Sequence, residues 1–328
     1  MNLVRAEIGR LAARRFVQLM LVLLVTAFTV TLTATLASSR QPSVEEVQQA
    51  EVLAEERRQE AQVWYDQCVG AGRPGAAVRE DHCKGLDPAL IDASDHLPGV
   101  FVFDRQITDL LYFLIAFLCL FGFLVGASYI GADLTSGGMT NLLLWRPQRL
   151  LVLGSKLGTL LGAVLGLSLV ASTVYLGAFR LVGQVRGMPG TPNAAFWADL
   201  LLLLTRGLLL VLMVTVLGFA IATLGRHTSA ALGVAAAYVV VWEGGLRIVL
   251  HIIGAARPDD LMLSTYLFAW VTGKVRLYRA TDCHMLPGQE SCDPFYTIGW
   301  PTGLAVLLLL VVAVAGAAFA NFRRRDLA

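Results

Sequence analysis

Charge is the first thing this chain lacks. Only 15% of its 328 residues are Asp, Glu, Lys or Arg while 56% are hydrophobic, which excludes an ordinary soluble domain. Neither sign dominates. The 26 basic and 24 acidic residues leave a formal +2, which gives no electrostatic ground for nucleic-acid binding.

Catalytic signatures are missing as well. Gly273-Lys274 comes nearest to a Gly-x-x-x-x-Gly-Lys-Ser/Thr loop, but Phe268 occupies the position of its first glycine. No LSGGQ-like segment occurs, so the chain has no visible means of hydrolysing ATP in the P-loop manner. There is no HExxH, no GxSxG and no metal-ligand cluster, and His82, His96 and His284 are scattered. An intramembrane enzyme therefore has no visible chemistry here. Cysteine is scarce, five in all and none in a CxxC pair, which argues against a zinc site.

What the chain does have is long apolar runs. A helix needs about 20 apolar residues to cross about 30 Å of hydrocarbon. Six runs qualify, at 16–37, 109–131, 147–182, 196–224, 229–255 and 300–321. The fold expected is an all-α polytopic membrane protein with its termini on one side. Cations near span ends orient it. With both termini inside, that side holds Arg5, Arg10, Arg14, Arg15, Arg146, Arg149, Lys156, Arg226, Arg323, Arg324 and Arg325 against only Glu7, Asp133 and Asp326. The loop at 38–105 is net acidic and belongs outside. The run after Met1–Arg15 is too long for a signal-peptide core.

Cysteine placement fits this topology. Cys68 and Cys83 fall in the first outer loop and Cys283 and Cys292 in the last, while Cys119 lies in a span. Two disulfides are expected in an oxidising compartment. Of three connectivities we favour the within-loop one, Cys68–Cys83 and Cys283–Cys292.

The most informative stretch is residues 132–156, a polar interruption between the second and third runs. Gly137 and Gly138 permit a sharp reversal, and Thr135 or Ser136 is placed to cap a short helix through Trp145. Pro147 ends that helix at Arg146 and starts the next. Asp133, Gly137, Leu142-Leu143, Pro147-Gln148-Arg149 and Lys156 together resemble the membrane subunit of ABC-2 type exporters, which usually has Glu at the place of Asp133. The register of that family's Gly-Thr pair falls on Gly137-Gly138 or Gly138-Met139.

The resemblance carries several implications. Residues 132–146 would be the cytoplasmic coupling helix, docking on a separate ATP-hydrolysing subunit through Asp133, Gly137, Gly138, Trp145, Arg146, Pro147, Arg149 and Lys156. Two copies of that subunit would carry the ATP and Mg2+, and this chain would bind no cofactor. A second permease protomer, identical or related, would complete the transporter. Residues 1–15 would form an interfacial elbow helix, and outer-leaflet helices would occupy 256–299 between the fifth and sixth spans. The short tail 322–328 would stay inside. Ala-, Leu- and Arg-rich usage resembles that of actinobacteria, so the bacterial plasma membrane is the expected location.

Other features have two readings each. Thr26, Thr29, Thr31, Thr33 and Thr35 either bond back to their own helix, which we favour, or line a route. Gly154, Gly158, Gly162 and Gly166 put glycine along one helix face, for packing within the subunit or at a dimer seam. An unpaired charge mid-membrane costs at least ~2.5 kcal/mol. Arg206, Glu243 and Arg247 are therefore expected to pair, as a structural cluster or as part of a substrate path. Residues 44–65 read as helix, 70–98 as loop, and the apolar piece 261–271 as a re-entrant or interfacial segment.

Three functions compete. The first is an exporter permease whose cargo is amphipathic, lipid-like or drug-like. The second is a transport-inactive membrane scaffold or sensor that uses the 38–105 loop to bind a partner. The third is a lipid-modifying enzyme or secondary transporter, for which neither paired outward carboxylates nor inverted repeats are found.

Overall fold

The computed structural model describes residues 9–70, 83–139, 148–279 and 295–324. Its helices are α1 (Arg15–Ser38), α2 (Val44–Gly70), α3 (Phe103–Thr135), α4 (Arg149–Val185), α5 (Ala194–Gly225), α6 (Thr228–Ile252), α7 (Leu263–Thr272) and α8 (Trp300–Arg324). One antiparallel pair, β1 (Lys274–Tyr278) and β2 (Phe295–Gly299), lies between α7 and α8 in register Lys274–Gly299 to Tyr278–Phe295. Six helices, all but α2 and α7, are long and apolar enough to cross a membrane.

The apolar runs correspond to these six helices, with bounds set by polar partners rather than by hydropathy. α3 begins six residues before the run at 109–131 and continues to Thr135, whose hydroxyl turns back to the carbonyls of Gly131 and Ala132. It does not cap the next helix. Gly137 takes φ +72°, the left-handed geometry glycine allows without strain, and helix resumes at residues 138–139. At the N-terminal end residues 9–12 are helical and the helix is interrupted at 13–14 before α1.

Two compact units divide the chain. One comprises residues 27–110 and 174–196. In it α2 lays Ala50, with Val47 partly buried, on Leu97, Val100 and Val102. Cys68 and Cys83 are disulfide-bonded, tying the end of α2 to the short 3-10 turns that follow. Arg58 Nε donates to the Ile91 carbonyl at 3.0 Å, and Asp92 caps the turn Ala93–His96. The Ser94 amide, foremost, and the nearby Arg105 hold the Asp92 carboxyl below its ordinary value. Deeper in the unit Phe28, Tyr175, Phe179 and Phe101 form a run of ring contacts 4.6–6.0 Å apart. The threonines of α1 bond backwards, Thr31 to Ala27, Thr33 to Thr29 and Thr35 to Thr31.

The other unit holds residues 1–26, 111–173 and 197–328. One close seam in it is α3 against α5. A Cβ on Gly126 would come within 2.7 Å of the Thr215 carbonyl, and one on Gly207 within 2.5 Å of the Ile115 side chain. Small residues therefore serve this pair. α5 passes to α6 through Arg226, a non-glycine residue at φ +56° with its side chain exposed, followed by His227, whose ring caps Ser229. Left-handed geometry costs a branched-at-Cα residue about 1 kcal/mol. Arg226→Gly is therefore expected to raise the unfolding midpoint in detergent, and an unchanged or lower midpoint would show that the turn is unstrained.

Candidate functional site

The acid at the end of α3 organises the site. Asp133 accepts from Arg14, just before α1, on one carboxylate oxygen and from Lys156 Nζ of α4 at 2.8 Å on the other. Arg14 also donates to the carbonyls of Tyr129 (2.8 Å) and Ser128 (3.2 Å). Below this pair lies the fully buried ring of Tyr129, 4.9 Å from the Arg14 guanidinium and 5.0 Å from the Lys156 ammonium. Tyr129 precedes Asp133 by four residues, so one face of α3 carries both the acid and the aromatic. Two cations share one carboxylate, and the ring's negative face offsets their mutual repulsion.

This knot changes the meaning of two residues expected at a docking surface. Lys156 has only 5% of its side chain exposed and Asp133 18%. Both are turned inward, where they join three segments of the chain. Gly137 and Gly138 lie beyond the knot; a Cβ at Gly137 would meet nothing within 4 Å, and one at Gly138 only the Ser136 hydroxyl at 3.4 Å and the Asp133 carbonyl at 3.7 Å. Arg149 is half-buried at the first turn of α4. Trp145, Arg146 and Pro147 lie outside the described residues, as do Cys283 and Cys292.

Arg206, Glu243 and Arg247 are each provided for, but not by one another. Arg206 sits over the rings of Trp270 (5.8 Å) and Trp300 (5.7 Å), and its carbonyl accepts from Trp270 Nε1 at 3.0 Å. Glu243 accepts from the Tyr238 hydroxyl (2.8 Å), the Ser264 amide (2.9 Å) and the Ser264 hydroxyl (2.7 Å). Arg247 pairs with Asp259 at 2.7 Å. The pairing expected from depth and helical phase is displaced by nearer partners, because residues 258–264 bring donors to Glu243 and a carboxylate to Arg247.

Among the described residues nothing packs against the glycine stripe of α4. A Cβ at Gly154, Gly158, Gly162 or Gly166 would meet nothing within 4 Å. Among the described residues no group of three or more His, Cys, Asp or Glu comes together. Sequence reasoning missed Arg14 and Tyr129 as members of the site. The signal was the aromatic-to-acid spacing of four ahead of the loop.

Six apolar spans, charges given partners in place and an ion-pair knot where two spans meet a glycine-bearing connection define a multi-pass membrane protein. A model of the ABC-2 family transporter proteins matches residues 1–327, and the chain belongs to that family. No curated protein and no solved structure gives a significant match.

Removing one partner of a shielded ion pair strands the others and costs about 3–5 kcal/mol. Asp133→Ala is expected to lower thermal stability in detergent by several degrees, whereas Asp133→Glu keeps most of it. Equal stability of the Ala variant and the parent chain would show the knot to be incidental.

Proposed function

We propose that the chain is the permease subunit of an ABC exporter, in which ATP hydrolysis on a separate subunit moves the spans. The observation that carries this reading is the Arg14–Asp133–Lys156 knot at the root of the connection between α3 and α4. A push on that connection reaches the N-terminal segment, α3 and α4 together, because one carboxylate binds all three. Gly137 at φ +72° lets the connection turn away from the knot. The rim for the ATPase then consists of Gly137, Gly138, Trp145, Arg146, Pro147 and Arg149, with Asp133 and Lys156 acting behind it.

In this reading both termini and the knot face the cytoplasm of a bacterial plasma membrane, in keeping with the cations at those ends. Two ATPase copies bind ATP and Mg2+. A second permease protomer, identical or related, packs on the open Gly154–Gly158–Gly162–Gly166 face of α4, where glycine allows close approach. The cargo is amphipathic, lipid-like or drug-like, in line with spans whose exposed surface is almost wholly apolar. Cycling between inward- and outward-facing states is driven by the ATPase's differential contacts with the rim.

A second reading keeps the fold without transport and gives the work to the outer loop. It is favoured by the order of α2 and its disulfide-tied turns, which form a small core of their own. One preparation separates the two. The tagged chain, purified in mild detergent, is expected to bring down a stoichiometric P-loop ATPase, and Pro147→Ala with Arg149→Ala is expected to release it. Absence of any ATPase across salt and detergent conditions would overturn the exporter reading and leave the scaffold.

A further inference from the structure

The fifth span is not a plain α-helix. Residues Tyr238–Leu246 are π-helical, nine in succession, whereas such geometry mostly occurs as a single turn and often at functional sites. The wide turn has a definite consequence. At about 100° per residue an α-helix would set Glu243 about 140° and Arg247 about 180° from Tyr238. With bonding from i to i+5 a turn takes more than four residues, so Tyr238, Trp242, Glu243 and Arg247 return to one face.

That face binds one short segment. Tyr238 accepts from the Leu263 amide at 3.1 Å, and Trp242 Nε1 donates to the Leu261 carbonyl at 3.0 Å. Glu243 takes both the amide and the hydroxyl of Ser264, and Arg247 takes Asp259. Five polar contacts thus join α6 to residues 259–264, and Glu243 satisfies the Ser264 amide and Tyr238 the Leu263 amide, capping the start of α7 from another helix.

The neighbouring seam is of another kind. α7 packs on α8 so closely that a Cβ on Gly303 would come within 2.7 Å of the Tyr266 carbonyl and 3.0 Å of the Trp270 amide. The Trp300 amide bonds the Gly273 carbonyl at 2.8 Å, and the Tyr296 hydroxyl bonds Asp260 at 2.7 Å. α7, β1, β2 and α8 therefore form one body, joined to α6 by a turn through Gly254 at φ +67°.

We infer that the π-helical stretch of α6 is a latch, with Glu243 as its positioning residue, and that rewinding to α-helix releases residues 259–264. Rewinding rotates Glu243 and Arg247 off the shared face and breaks the polar seam while the α7–α8 seam holds. Its role as the outward gate of the transport route rests on the permease reading; the latch itself does not.

The test is hydrogen exchange of the full chain in phosphatidylethanolamine–phosphatidylglycerol nanodiscs, read by mass spectrometry on a peptide spanning 261–272. Two variants push in opposite directions. Glu243→Gln removes the charge that three donors share, and exchange at Leu263 and Ser264 is expected to rise at least about tenfold. Deleting Val240, an exposed residue of the π stretch, puts Tyr238, Glu243 and Arg247 within about 80° of one another on an ordinary α-helix, so their part of the latch holds without rewinding. Exchange is expected to slow below that of the parent chain. A peptide spanning 113–124 of α3 reports global folding. If Glu243→Gln deprotects that peptide too, Ser264→Ala replaces it, with a smaller rise expected at Leu263. A rise in one variant and a fall in the other supports the latch. Any other pairing overturns it, and neither result depends on whether an ATPase is found.

Discussion

A charged group drawn out of water has to find partners before the helix carrying it can be placed. In this chain that requirement fixes the helices more sharply than apolar packing does, because most of the spans' surface is apolar and indifferent to rotation in lipid. Asp133 ties the rotation of α3 and α4 to the approach of the N-terminal segment, since it binds both Arg14 and Lys156. Arg206 sets α5 against the Trp270 and Trp300 rings. Glu243 and Arg247 set the return of residues 259–264 onto α6. Glycines then decide how near the backbones come, as at Gly126 against Thr215 and Gly303 against Tyr266.

The same requirement explains what could and could not be read from the sequence. The six apolar runs follow from length and composition alone, so their correspondence to α1, α3, α4, α5, α6 and α8 needed no tertiary information. The disulfide Cys68–Cys83 was legible because two cysteines close together in one loop have a short way to go. The acid–lysine spacing singled out Asp133 and Lys156 but suggested a surface. Arg14, from more than a hundred residues upstream, turns them into a buried junction, and no local pattern announces so distant a partner.

Around Glu243 the failure has a different origin. Helical phase counted at 3.6 residues per turn put Glu243 and Arg247 on one face, and depth put Arg206 beside them. Both steps assumed an unbroken α-helix and a fifth span facing only other spans. The π geometry of Tyr238–Leu246 removes the first assumption, bringing Tyr238 and Trp242 onto the face that Glu243 and Arg247 still share. The short helix α7 and its strand pair remove the second, because they bring Ser264 and Asp259 to α6. The apolar piece at 261–271 was recognisable as too short to cross, but β1 and β2 on its far side left no trace in the periodicity.

The two polar junctions of this unit differ in kind, and the difference bears on which of them moves. At Asp133 every partner is charged, and opening the knot leaves two cations facing each other over a buried ring, which costs several kcal/mol in a shielded place. At Glu243 every donor is neutral, a phenol, a hydroxyl and an amide, and each is a group that water can replace when the segment lifts. Arg247 keeps half of its side chain exposed, so its bond to Asp259 is likewise open to exchange with solvent. A junction of the first kind persists through a conformational cycle and transmits force, whereas one of the second kind opens at little net cost. Motion imposed at the Asp133 end is therefore expected to emerge where α6 meets residues 259–264. That is where the helix already departs from its most stable winding.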